Sequence, residues 1–242
     1  MEHKRFHYKS MDELKQELTR IGVRLPLSDS LEALKREVKL GARTMHNSIA
    51  IQPMEGCDGT ADGRPAELTL RRYDRFARSG AGLIWAEAVA ITPEGRANPR
   101  QLWLTRDNLD DYKRFVYDMK QTCLKENGFE PIVIMQATHS GRYSKPEGVP
   151  APLIAYNNPI FEGDRPIAAD RILSDEYLYG LIDKFGVSAS LAEQAGFDGV
   201  DIKCCHRYLN SELLSAYDRE GDFGGALENR TRLLRGGIAA AQ

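Results

Sequence analysis

Four short apolar runs constrain this chain more than any other feature: Ser48-Ile49-Ala50-Ile51, Gly82-Leu83-Ile84-Trp85-Ala86, Pro131-Ile132-Val133-Ile134-Met135 and Gly199-Val200-Asp201-Ile202. Each mostly lacks polar alternation, as a parallel strand buried on both faces should. Helical patterns lie between them at residues 66–78, 107–126 and 175–195, the last followed by Gly196 as a C-cap. Strand, helix, strand, helix argues for right-handed crossovers, hence an α/β architecture, either a doubly wound sheet or a β/α barrel. Polar residues decide between the two. They cluster after the strands: Pro53-Met54-Glu55-Gly56, Glu87-Ala88, Gln136 with His139, and Lys203 with His206. A barrel brings all such strand ends to one face. A doubly wound sheet would gather its ligand loops at one switch point, and no Gly-x-Gly-x-x-Gly follows the first strand. The barrel is the expected fold.

With 33 Lys+Arg against 35 Asp+Glu, the formal charge of −2 supplies no field for nucleic acid or an anionic membrane. The four cysteines, Cys57, Cys123, Cys204 and Cys205, are too few and too unevenly spaced for a disulfide framework or a metal site, which fits a reducing cytoplasm. Adjacent Cys204 and Cys205 read as packing residues. The first twenty residues are charged where a leader needs an apolar run, and no stretch reaches the ~18 apolar residues of a membrane span.

Residues 1–40 read as an N-terminal helical extension. Its first helix is capped by Ser10 with Glu13 three residues on, its second by Asp29 or Ser30 before LEALKREV. Residues 41–242 then hold only four strand-helix units, where a closed barrel needs eight. The Pro- and Gly-rich stretch 138–173 is a connection long enough to be functional or disordered. A last helix from Glu228 is expected to be interrupted by Gly236-Gly237, and the chain reads as the N-terminal half of a barrel. Four strands alone leave two open edges and an uncovered inner face.

Several motifs occur in one order: Ile51-Gln52-Pro53-Met54-Glu55-Gly56, Gly80-Ala81-Gly82-Leu83-Ile84, Pro93-Glu94-Gly95-Arg96, Gln136-Ala137-Thr138-His139-Ser140-Gly141-Arg142, Ala195 through Ile202, His206-Arg207-Tyr208-Leu209 and Phe223 through Arg230. Together they resemble the old yellow enzyme family of NADH:flavin oxidoreductases from about residue 41 to residue 235. The resemblance implies an eight-stranded β/α barrel with FMN across its C-terminal mouth, reduced by NAD(P)H and reoxidised by a small electron-poor alkene. It also implies roles. Pro53, Met54 and Glu55 would border the flavin ring, Ala88 would lie beside it, and Gln136 would bond its pyrimidine edge. Lys203 and His206 would grip the substrate carbonyl, and Tyr208 would stand near the substrate as a proton source. Donors aimed at an oxygen that gains charge during hydride delivery stabilise the transition state more than the ground state.

The pattern is not followed throughout. Lys203 stands where a His is common, Arg207 follows His206 where Gly is usual and is expected to crowd the fourth loop and disturb Tyr208, and Glu55 stands where Thr or Cys often tunes the flavin. The family's phosphate cradle belongs to strands beyond the four present. The competing expectation is a catalytically inactive half-barrel that binds no flavin or serves as an interaction partner. A homo-oligomer, or a second chain completing the barrel, would cover the open edges.

Overall fold

The computed structural model describes residues 5–242. Helix α1 (Met11–Arg20) starts where expected: Ser10 Oγ accepts from the Glu13 N–H at 3.2 Å, and the Glu13 carboxylate accepts from the Lys9 N–H at 2.9 Å. Helix α2 (Glu32–Lys35) stops after one turn. The rest of its expected span becomes β1 (Val38–Leu40), which turns at Gly41 and pairs antiparallel with β2 (Arg43–Met45). Met45, with Val38 beside it, packs on Leu83, Trp85, Ile132 and Ile134. That burial outweighs the helical preference of LEALKREV. The hairpin straddles the boundary drawn at residue 40, so the extension is not wholly helical.

A four-stranded parallel sheet follows, in the order β3 (Ala50–Ile51), β4 (Leu83–Ala90), β5 (Ile132–Thr138) and β6 (Gly199–Ile202). Between the strands run α3 (Glu67–Arg78), α4 (Leu109–Asn127), the single turn α5 (Pro159–Glu162) and α6 (Asp175–Ala195). Ser174 Oγ caps α6 by accepting from the Tyr177 N–H, and Gly196 closes it at φ 91°. The remaining helices are α7 (Leu209–Leu213), α8 (Leu227–Arg230) and α9 (Arg232–Ala241). The sheet face bearing Ile84, Ala86, Val133, Met135 and Ala137 joins one core with Tyr73, Phe115 and Phe185 of the helices. The opposite face is apolar at its base, where the hairpin covers it, and polar toward the C-terminal strand ends.

Three expectations are corrected. Glu87, Ala88 and Gln136 lie inside strands: β4 runs to Ala90 because a bulge at Glu87 absorbs the buried carboxylate, and Gln136 pairs in register with Ala88 and Asp201. The stretch 138–173 is ordered, with turns at Gly141–Tyr143 and Ala169–Arg171 and a bridge between Ile154 and Ile172. Finally, α9 runs through Gly236 and Gly237 without a break. A Cβ at those positions would come within 2.6 Å of Ile182 Cδ1 and 2.9 Å of Phe185 Cδ2. The two glycines therefore set the close approach of α9 to α6.

Among the described residues β3 and β6 have a strand neighbour on one side only. No helix among them is long and apolar enough to cross a membrane.

Candidate functional site

The polar half of the inner sheet face brings Gln136, Asp201, Lys203, Glu55 and Tyr208 together. Gln136 is buried; its Nε2 donates to Asp201 Oδ2 at 2.7 Å, and its Oε1 has no partner. Lys203, just past β6, is also buried, with Nζ 3.4 Å from Glu55 Oε1 and 4.6 Å from the centre of the Tyr208 ring. Its backbone is tied down as well, since Asn210 Nδ2 donates to the Lys203 carbonyl. Burial raises the Glu55 carboxyl above its ordinary value, against the pull of the Lys203 ammonium. Burial, helped by the Glu55 charge, pushes the Tyr208 phenol up to about 12.

The other expected residues divide. Pro53 is half-buried and Met54 is 72% exposed, so this run presents surface at the site's edge. Ala88 is fully buried and offers no surface to a ligand. His206 is exposed, its ring 6.1 Å from that of Tyr208. His206 and Arg207 both adopt left-handed backbone, φ 58° and 57°, which for non-glycine residues stores strain. Arg207, expected to crowd this loop and disturb Tyr208, turns its side chain toward the long connection. Its guanidinium lies 4.6 Å from the Phe161 ring and 5.7 Å from that of Tyr143, drawn to the aromatic faces of the long connection.

Residues without a role assigned from sequence hold this arrangement. The Glu87 carboxylate accepts from the Gly56 N–H at 2.9 Å and pairs with Arg72, whose guanidinium also bonds Asp58 at 2.6 Å. This ties down Gly56 and Asp58, and with them the run at the site's edge. Arg142 is buried between Glu162 and Glu212, and Glu212 also accepts from the Ala155 N–H. Glu87 stood among the polar residues after the strands and Arg142 inside a motif, but nothing in sequence signals partners as distant as Arg72 and Glu212. His139, just past β5, is held by hydrogen bonds: Nδ1 accepts from the Gly141 N–H, and Nε2 meets the Tyr177 hydroxyl, which donates to Glu94. Burial lowers its pKa to about 4.

Four parallel strands with helices on one face, and polar side chains gathered at their C-terminal ends on the other, define a partial β/α barrel whose site lies at the mouth. The chain belongs to the NADH:flavin oxidoreductase / NADH oxidase family, whose profile matches residues 35–240. It is 31% identical over 204 residues to an NADPH dehydrogenase of Halalkalibacterium halodurans, covering 82% of this chain and 56% of that one. An NADPH dehydrogenase of Clostridium acetobutylicum is 30% identical over 193 residues, with 79% and 54% covered. The old yellow enzyme homologue from Zymomonas mobilis superposes with a TM-score of 0.72 at 26% identity, over 86% of this chain and 59% of its own. Morphinone reductase shares the fold, with a TM-score of 0.72 at 24% identity, over 86% and 60%. The chain thus spans little more than half the length of the dehydrogenases it matches.

Proposed function

We propose that this chain supplies the first half of an FMN-dependent NAD(P)H oxidoreductase site whose final electron acceptor is a carbonyl-conjugated alkene. The observation that carries the reading is Gln136. Its Oε1 is buried without a donor, a costly state that an incoming N–H relieves, and the pyrimidine edge of a flavin offers one. Pro53, Met54, Glu55 and Gln136 would hold the cofactor, with buried Ala88 shaping the strand beneath. FMN, when bound, supplies the hydride chemistry; the protein binds and orients.

The chain's own residues have separable tasks. Lys203 and His206 are N–H donors for a substrate carbonyl oxygen on which negative charge grows. Tyr208, its phenol pushed up to about 12, keeps its proton at neutral pH and delivers it to the α-carbon. Glu55 occupies the Lys203 ammonium, so a substrate oxygen competes with that carboxylate. This pairing, together with the lack of free surface on Ala88, favours a second reading in which the chain is a non-catalytic half-barrel. Four unpaired cysteines suit a reducing cytoplasm under either reading.

Absorption spectra separate the two. The purified chain is mixed with FMN, freed of excess by gel filtration, and exposed without oxygen to NADH or NADPH and then to a cyclic enone. A retained flavin band that bleaches and returns is expected, with retention reduced at least tenfold in Gln136→Leu. A colourless wild-type chain would overturn the catalytic reading.

A further inference from the structure

Lys203 and Glu55 are buried as a pair without fitting each other closely. The ammonium carries three N–H donors. Among the described residues its hydrogen-bond partner is Glu55 Oε1 at 3.4 Å, longer than the roughly 2.7–2.9 Å of a tight charged pair. The Tyr208 ring packs against it, 4.6 Å from Nζ. Side-chain exposure is 3% for Lys203 and 17% for Glu55. Residues of this chain alone therefore enclose the ammonium, and the open end of the pair is the carboxylate. Burial holds the Glu55 carboxyl above its ordinary value even beside Lys203, the mark of a carboxylate short of donors.

We infer that the site selects an alkene whose activating carbonyl carries an N–H on the same edge, as in an unsaturated lactam or cyclic imide. The inference deepens the catalytic reading above and rests on it for the use of the site. A plain ketone that takes the Lys203 ammonium leaves Glu55 buried with its charge unpaired, which opposes binding. A lactam offsets this loss, because its C=O accepts from Nζ while its N–H donates to Glu55. The oxygen and nitrogen of a planar cis amide stand about 2.2 Å apart, so two nearly parallel hydrogen bonds reach groups separated by 3.4 Å. An N-methylated analogue instead sets a methyl group against the carboxylate. A site built to bond an N–H rejects the analogue lacking it far more strongly than an apolar pocket rejects a missing methylene. Lys203 still meets the oxygen on which charge grows, and Glu55 determines which ring enters.

Saturated probes test this without turnover. δ-Valerolactam, its N-methyl derivative and cyclohexanone are titrated calorimetrically into the full chain, with and without FMN. The wild type is expected to bind the lactam at least tenfold more tightly than either of the others. Glu55→Thr removes the preference by weakening the lactam and tightening the ketone, which no longer competes with a carboxylate for Lys203. Glu55→Gln keeps an acceptor oxygen and retains part of the preference. Circular dichroism melts check that both variants fold, and the ranking of the three probes on the wild type stands without them. Equal binding of the lactam and its N-methyl derivative, a preference that survives Glu55→Thr, or binding of none of the three would each overturn the inference. A lactam preference in a chain that retains no FMN supports the recognition and overturns the catalytic reading. Retained flavin that bleaches with NADH, without any lactam preference, does the reverse.

Discussion

At the scale of single residues, the buried ionisable groups set both the stability and its pH dependence. In the unfolded chain an imidazole titrates near 6.5, whereas His139 in the fold takes no proton until about pH 4. Between these values the unfolded state binds the extra proton. Stability is therefore unaffected above pH 6.5 and falls as pH drops toward 4, by up to about 3 kcal/mol. Urea midpoints at pH 7 and pH 5 should show the loss in the wild type and a shallower slope in His139→Asn. Glu212 presents the opposite hazard. It shares buried Arg142 with Glu162 and accepts from the Ala155 N–H, so Glu212→Ala leaves the guanidinium with one carboxylate and the Ala155 N–H with none. Its expected cost is about 2–3 kcal/mol, read from urea unfolding. Of the candidate site, Gln136 and Tyr208 were picked out by motif order and Lys203 by its place after the fourth strand, and all three lie on the polar half of the inner sheet face. The Glu55 pairing with Lys203 was not, because 148 positions separate the two residues and only the folded sheet joins them.

At the scale of elements, periodicity and caps carried most of the reading. Helix α6 was legible to both ends, since Ser174 and Gly196 terminate it chemically as well as by pattern. Strand ends were less legible: a carboxylate at position 87 reads as the end of a buried run, and only the bulge and Arg72 explain how β4 continues past it. Gly236-Gly237 misled for a related reason. Glycine costs a helix interior about 1 kcal/mol, so a pair suggests a break, but here the missing side chains admit α6. The sign of a common substitution is thereby reversed. Gly237→Val, which removes a flexible residue from a helix, should lower stability by about 1–3 kcal/mol through overpacking against Phe185, seen as a fall in melting temperature.

At the scale of the whole molecule, the half-barrel has a closed floor and an open mouth. The floor is the β1–β2 hairpin, with Met45 buried against Leu83 and Ile132, whereas of the extension before it Leu18 is the buried residue among those described. Deleting residues 1–36 should shift the cooperative melt by less than about 1 kcal/mol, while deletion through Met45 uncovers Leu83 and Ile132 and should cost several times more by area. Differential scanning calorimetry of the two truncations checks the boundary. The hairpin also has a consequence for synthesis. It leaves the ribosome before either strand it covers, and Ile132 follows Met45 only after roughly 4–17 s at ~5–20 residues per second. The floor is made first and seated late, so during translation its apolar side is the surface that a chaperone meets.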